Sequence, residues 1–390
     1  MRMKKYFIGA AALLAFTACS NDETVDLNQD GNVISFAVTA NNPSRVSTED
    51  GQGVYCNNNK PKEFRVYAVY NSKSYINGDL IKLNGSKYEN QGGTRYWPST
   101  GDVTFYALQN ADMDWTNPAT PQVKDFTVNP AVGSQVDFVY ARKTQSKSAN
   151  APVTLNFRHA LSQIVFEAIN KNGHLDVVID EVKIVNVAGT GTFTFPALDT
   201  DDNVVDHDQS STTAIANQGT WALQAANQSF AVAVPAGKQA VHGDNNTVKL
   251  TSENIATKEY SANAMLLLPH SGAATTAWNP SEGKATESTK SYFLVKCSIR
   301  NVNDGTGIAK AGDVYLWGNE TSTAYVAIPY SFAWEQGKKY TYTFTFDKGN
   351  GGYDPGTDTP TPVLVPITID ITVDDFVKGA DTEIPMQTNP

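Results

Sequence analysis

His159 is the side chain best suited to acid–base chemistry, an imidazole within the run Phe157-Arg158-His159-Ala160-Leu161-Ser162. A general base needs a nucleophile or an orienting carboxylate beside it, and neither accompanies His159 at motif spacing. The expectation is a histidine packed into a sheet, with no catalytic residue in the chain. Asp26, Asn28, Asp30 and Gly31 match the opening of a calcium loop, but its twelfth position is Ala37, where a bidentate Glu is required. Asp199, Asp201 and Asn203 fail likewise, with Val204 in place of glycine and Ser210 at position twelve. No GxSxG, Walker loop, HExxH or CxxC pattern occurs. These observations point to a non-enzyme without metal or cofactor. Trp115, Trp221, Trp278 and Trp317 could stack on sugars, and packing between sheets is the ordinary alternative.

Cys19 carries a different chemistry. Arg2, Lys4 and Lys5 precede an apolar run from Tyr6 to Ala18. That run falls short of the roughly 20 apolar residues a spanning helix needs, and it has the length and flanks of a signal-peptide core. It closes with Phe16-Thr17-Ala18-Cys19, which resembles a bacterial lipobox, with Phe16 where leucine is usual. The resemblance implies that residues 1–18 are removed and that the Cys19 thiol is acylated, anchoring the chain in outer-membrane lipid. An ordinary cleaved signal with a chance cysteine is the alternative.

Losing the signal shifts the charge from 30 basic against 40 acidic residues, net −10, to 27 against 40, net −13. A surface this acidic argues against nucleic acid or anionic membrane as a binding partner. Nothing after Cys19 has the length and apolarity of a membrane helix, and 390 residues suffice for two ordinary domains. Cys56 and Cys297 leave two readings open. An oxidising compartment favours a disulfide, whereas the apolar run Tyr292-Phe293-Leu294-Val295 beside Cys297 favours a buried, inert thiol.

The elements that position these residues read as strands. Short runs rich in Val, Ile, Thr, Phe and Tyr recur between Asn, Gly, Ser, Thr and Asp clusters: Val33–Ala40, Phe64–Tyr70, Val103–Leu108, Val153–Phe157, Gln163–Ala168, Val177–Val187, Gln228–Val234, Ala264–Leu268, Tyr292–Ile299, Tyr340–Phe346 and Ile367–Val373. Many strands at such spacing predict an all-β chain of antiparallel sandwiches. Two runs alternate with period two. Ile34, Phe36 and Val38 share one face of the first; Ile367, Ile369, Ile371 and Val373 share one face of the last. A polar stretch, Asn41 to Asn59, follows the first and contains Arg45. A Gly-, Pro-, Asp- and Thr-rich stretch, Asp347 to Pro362, precedes the last and reads as a flexible or extended tether.

Three blocks carry a family resemblance. The first is the opening strand followed by Arg45, then Phe64-Arg65-Val66-Tyr67-Ala68, and Tyr96-Trp97-Pro98 before Val103-Thr104-Phe105-Tyr106-Ala107. The second runs from Phe157 to Phe166. The third is Trp334-Glu335-Gln336-Gly337-Lys338-Lys339-Tyr340-Thr341-Tyr342, before a closing strand that ends Val373-Asp374-Asp375-Phe376. Together they resemble the Bacteroidales fimbrillin family, the Mfa-like and major-fimbrillin type pilins. The acidic Ser20-Asn21-Asp22-Glu23 likewise resembles the export signal of surface lipoproteins in Bacteroidota.

The resemblance implies two tandem transthyretin-like β-sandwich domains after a lipoprotein signal peptide. The expected division is 1–18 signal peptide, 19–31 lipidated tether, 32–189 and 190–377 the two domains, and 378–390 a tail. It also implies an arginine- or lysine-directed protease that removes the lipidated first strand, after which a strand from another fimbrial subunit fills the vacated groove. Arg45 is the basic site that fits, with Lys60 and Lys62 as alternatives closer to the next strand. Ile34, Phe36 and Val38 would form the removable strand, and Ile367, Ile369, Ile371 and Val373 the donor strand. Burying four such aliphatic side chains contributes roughly 6–10 kcal/mol before ordering costs. The expected function is a fimbrial subunit serving adhesion at the cell outer membrane and then in the fimbrium, with a receptor on a host or bacterial surface as a further partner. Two plainer readings stay open: Arg45 as a solvated loop residue, and Ile367–Val373 as a fixed edge strand. They correspond to a surface lipoprotein that binds glycan or host protein and keeps its anchor.

Overall fold

Period-two alternation and β-branched or aromatic runs give strands almost everywhere. The computed structural model describes residues 32–39, 55–56, 60–85, 87–147, 151–200, 218–251, 264–270, 274–347, 352–363 and 367–375. Among these, helix is confined to single 3-10 turns such as Val132–Ser134. No helix among them is long and apolar enough to cross a membrane. The all-β expectation is met.

A six-stranded sheet fills the N-terminal part, in the order Arg158–His159, Val139–Ser146, Asp102–Gln109, Glu63–Tyr70, Lys73–Asn84 and Lys87–Asn90. Its strands bury side chains on both faces. Phe64, Val66 and Ala68 enter one core with Phe105 and Val139, while Tyr67, Tyr106 and Tyr140 point into another. The first core is closed by Phe36–Thr39 running parallel to Val153–Asn156. The second is closed by a three-stranded sheet of Gln122–Thr127, Thr190–Thr194 and Thr220–Leu223, whose Phe193 lies edge-on to Phe138 at 5.0 Å.

Lys73–Asn84 is not among the strands expected above. Its polar residues and the Asn77-Gly78-Asp79 sequence read as a turn. In the fold, Val66 pairs with Asp79 and Tyr67 with Asn77. Gly78 is therefore the extra residue of a β-bulge, at φ 76°, a backbone angle that favours glycine.

Two further sheets face each other in the C-terminal part. One has the order Thr247–Lys249, Ser162–Asn170, Lys338–Phe346, Ile367–Asp375, with Met265–Leu267 also on Ser162–Asn170. The other has Gln228–Ala233, Leu175–Val187, Tyr292–Asn301 and Tyr315–Trp317, with Ala240–His242 on the second strand and Ala324–Pro329 on the third. Phe293 joins the layers, its ring centroid 5.0 Å from Tyr342 and 5.4 Å from Phe344. Ser162–Asn170 and Leu175–Val187 thus hydrogen-bond to strands that lie after residue 227.

The stretch before the last strand is fastened along its described part, unlike the free tether expected. Tyr353 exchanges backbone hydrogen bonds with Ala327 at 2.8 and 2.9 Å and packs its ring against Trp278 at 5.9 Å. Asp358 pairs with Lys284 at 2.8 Å. Apolar and backbone partners outweigh the intrinsic flexibility of the Gly- and Pro-rich composition.

Candidate functional site: a leading strand in a slot and a closing strand on an edge

Ile34, Phe36 and Val38 enter the first core together, at 5, 5 and 4% exposure. The Phe36 ring stands edge-on to Phe105 at 5.8 Å, and Trp97 meets the same Phe105 at 5.6 Å. Backbone groups hold the segment on both edges, because successive strand residues present their N–H and C=O to opposite sides. Ile34 N–H donates to Arg95 O and Trp97 N–H donates to Asn32 O, each at 2.8 Å. On the other edge, Val153 N–H donates to Ser35 O at 2.8 Å. The leading strand therefore occupies a slot between Arg95–Trp97 and Val153–Asn156. Emptying it strips these groups and uncovers three large apolar side-chain sites.

The Arg95 wall of the slot is fixed by charge. Arg95 Nε and Nη2 fork onto Asp79 at 2.7 Å each, and Asn90 Nδ2 donates to the same carboxylate at 2.8 Å. The Arg95 hydrogen bond holds the Asp79 carboxyl below the usual range, despite burial of the group. Neither Asp79 nor Arg95 was singled out from sequence. Sixteen residues separate them across a hairpin, a spacing with no local signature, although Tyr96-Trp97-Pro98 marked the neighbourhood.

The closing strand Ile367–Asp375 pairs antiparallel with Lys338–Phe346, from Phe346 opposite Ile367 to Lys338 opposite Asp375, and ends that sheet. Its apolar row is unevenly covered. Ile367 is 1% exposed, Ile369 and Val373 are half-buried against the core, and Ile371 is 43% exposed. Thr345 Oγ1 donates to Asp370 at 3.1 Å on the outer row.

Cys19 and Arg45 lie outside the described residues, as do Asp26, Asn28, Asp30, Asp201 and Asn203. Asp199 takes Arg142 at 2.6 Å and the Thr144 N–H at 2.9 Å. Among the described residues no three His, Cys, Asp or Glu side chains are grouped to hold a metal ion. His159 is buried, with Nδ1 2.5 Å from Oδ2 of the fully buried Asp137. Cys297 is a free, buried thiol, pushed up to about 12 by burial and then by Asp180. Trp278 is buried. The indoles of Trp115, Trp221 and Trp317 donate to Ser74, Ala160 O and Ala324 O.

A sequence model described as fimbrillin-like matches residues 37–373. No curated protein matches the sequence. Among solved structures, a fimbrial protein from Bacteroides vulgatus ATCC 8482 is similar over 88% of this chain and 99% of its own, with TM-score 0.53 at 12% identity. A candidate cell adhesion protein from Parabacteroides distasonis ATCC 8503 covers 88% of this chain and 99% of its own, with TM-score 0.44 and 12% identity. Another, from Bacteroides eggerthii DSM 20697, covers 90% and 97%, with TM-score 0.43 and 12% identity. The first of these shows a shared fold.

Proposed function

The chain belongs to the fimbrillin-like family, and from that premise we propose that it is a fimbrial subunit of the cell surface, serving adhesion and assembled by strand exchange. The observation that carries this reading is the slot: a short leading strand, held on both edges, with Ile34, Phe36 and Val38 sealed in the core. In this reading Cys19 is lipidated and tethers the precursor to the outer membrane. An arginine-specific protease then cuts after Arg45, freeing lipid and leading strand together. The vacated slot takes the Ile367–Val373 strand of another subunit, because exposed apolar surface and unpaired edge groups favour any strand that covers them. In this reading the chain carries two sandwich bodies, with Ser162–Asn170 and Leu175–Val187 paired to C-terminal strands and Thr190–Thr194 paired to Gln122–Thr127. Each body is then a transthyretin-like sandwich.

A second reading has its own observation. The closing strand is held along its length by Lys338–Phe346, and the stretch before it is fastened through Tyr353 and Asp358. These contacts favour a surface lipoprotein adhesin that keeps its anchor and donates no strand. One experiment separates the two: purified precursor is treated with a trypsin-like protease and run on gels without boiling. Strand exchange predicts cleavage after Arg45 and a ladder of multimers. A cleaved monomer that retains its leading strand supports the second reading and sinks the first.

A further inference from the structure

Resting on the strand-exchange reading, we infer that the closing strand of a second copy enters the slot in a single register, with Ile371 in the place of Phe36. The slot asks for apolar side chains at three alternate positions, those of Ile34, Phe36 and Val38. Run in the direction of the leading strand, the closing strand offers two such sets, Ile367/Ile369/Ile371 and Ile369/Ile371/Val373. Sliding further one way puts Asp375 in the place of Val38. Sliding the other way fills the sites with Val365, Ile367 and Ile369, puts Pro366 in the place of Ser35, and leaves the exposed Ile371 outside the slot.

The opposite row decides between the two sets. Ala37 is buried, at 8% exposure. The first set brings Asp370 to that position, and an unpaired carboxylate there is strongly unfavourable. The second set brings Thr372 there and leaves Asp370 at the half-buried position of Ser35. It also reuses the existing hydrogen-bonding groups. Residue 367 accepts from Trp97 N–H, residue 369 donates to Arg95 O, and residue 370 accepts from Val153 N–H, as Asn32, Ile34 and Ser35 do now. Ile371 gains most from the transfer, because it is 43% exposed at home whereas Phe36 in the slot is 5% exposed. That makes Ile371 the specificity-determining residue of the exchange.

Ala37 pairs directly with Thr154, which gives a test by cross-linking two copies. Both variants carry Cys56→Ser, and cutting after Arg45 removes Cys19. Acceptor protein with Thr154→Cys is mixed, after cutting, with donor protein carrying Thr372→Cys, Asp370→Cys or Thr368→Cys, and the mixture is mildly oxidised. Neighbouring strand residues lie within disulfide reach, so the Thr372→Cys donor should cross-link about tenfold more than the others. A preference for either Asp370→Cys or Thr368→Cys overturns the inferred placement of the strand. A multimer ladder without cross-links overturns the inference while leaving strand exchange standing; absence of any ladder overturns both. Ile371→Ala should shift the unfolding midpoint of the precursor only slightly and slow multimer growth about tenfold. Growth at the parental rate would overturn the role given to Ile371.

Discussion

His270 shows how a single buried side chain adds to the acid sensitivity of this protein. Its imidazole is 4% exposed, lies edge-on to Trp334 at 5.5 Å, and accepts the Ala188 N–H on Nε2 at 3.3 Å. Burial pushes its pKa from 6.5 down to about 4. Between those values the unfolded chain binds a proton that the folded chain refuses. Stability is therefore complete above about pH 6.5, falls as pH drops, and by about pH 4 has lost roughly 3 kcal/mol from this group. His270→Gln, whose amide oxygen can accept the same N–H, should flatten that part of the curve of unfolding free energy against pH, as measured by urea titration. Nothing in the sequence around His270 marks it. Cys297 was more legible, because an apolar run beside a thiol already suggests an inert one, and burial makes it so.

At the level of elements, the two end strands have similar alternation and different surroundings. Phe36→Ala should remove about 3–4 kcal/mol of stability, as truncating a buried phenylalanine does, because the ring is enclosed beside Phe105. Ile371→Ala should cost under about 1 kcal/mol, because much of that side chain already meets water. Equilibrium unfolding in urea, followed by tryptophan fluorescence, compares the two. Eleven strand runs were visible in the residues, but others, such as Val139–Ser146, Ala324–Pro329 and Lys73–Asn84, were not. The last shows why. Its bulge at Gly78 is imposed by the partner strand, so a segment that reads locally as a turn continues as a strand.

Across the whole molecule, one apolar cluster runs from Tyr67 and Tyr140 in the N-terminal sheet to Phe293 and Phe344 between the C-terminal sheets. Tyr140 is the polar link in that continuity. Its hydroxyl accepts the Gly219 N–H at 2.9 Å and the Gln336 amide at 3.1 Å, and desolvation holds the phenol above its usual pKa. Tyr140→Phe leaves the buried Gln336 amide and the half-buried Gly219 N–H without that acceptor and should cost about 1–3 kcal/mol in denaturant unfolding. A double variant that also carries Gln336→Leu should recover part of the loss, because the buried amide donor is gone and only the Gly219 N–H stays without its acceptor. The second and third sequence blocks meet in the same region. Phe157–Phe166 lies along Trp334–Tyr342, with Gln163 opposite Lys339 and Ile164 opposite Tyr340, and Ser162 Oγ donates to Glu335 O at 2.8 Å.

Alternation is a property of neighbouring residues, so the residues alone sufficed to show an all-β chain and to pick out apolar faces on both end strands. Acylation at Cys19 and a cut at Arg45 remain proposals that rest on resemblance to a lipobox and to the pilin family. Alternation names a face and not the neighbour that covers it. Contacts between residues far apart in the chain decided that the leading strand is sealed between Arg95–Trp97 and Val153–Asn156, while the closing strand lies on an edge with Ile371 in water. The same contacts fastened the stretch at Tyr353 that composition alone reads as free, because burial against Trp278 and Ala327 is a property of the assembled fold.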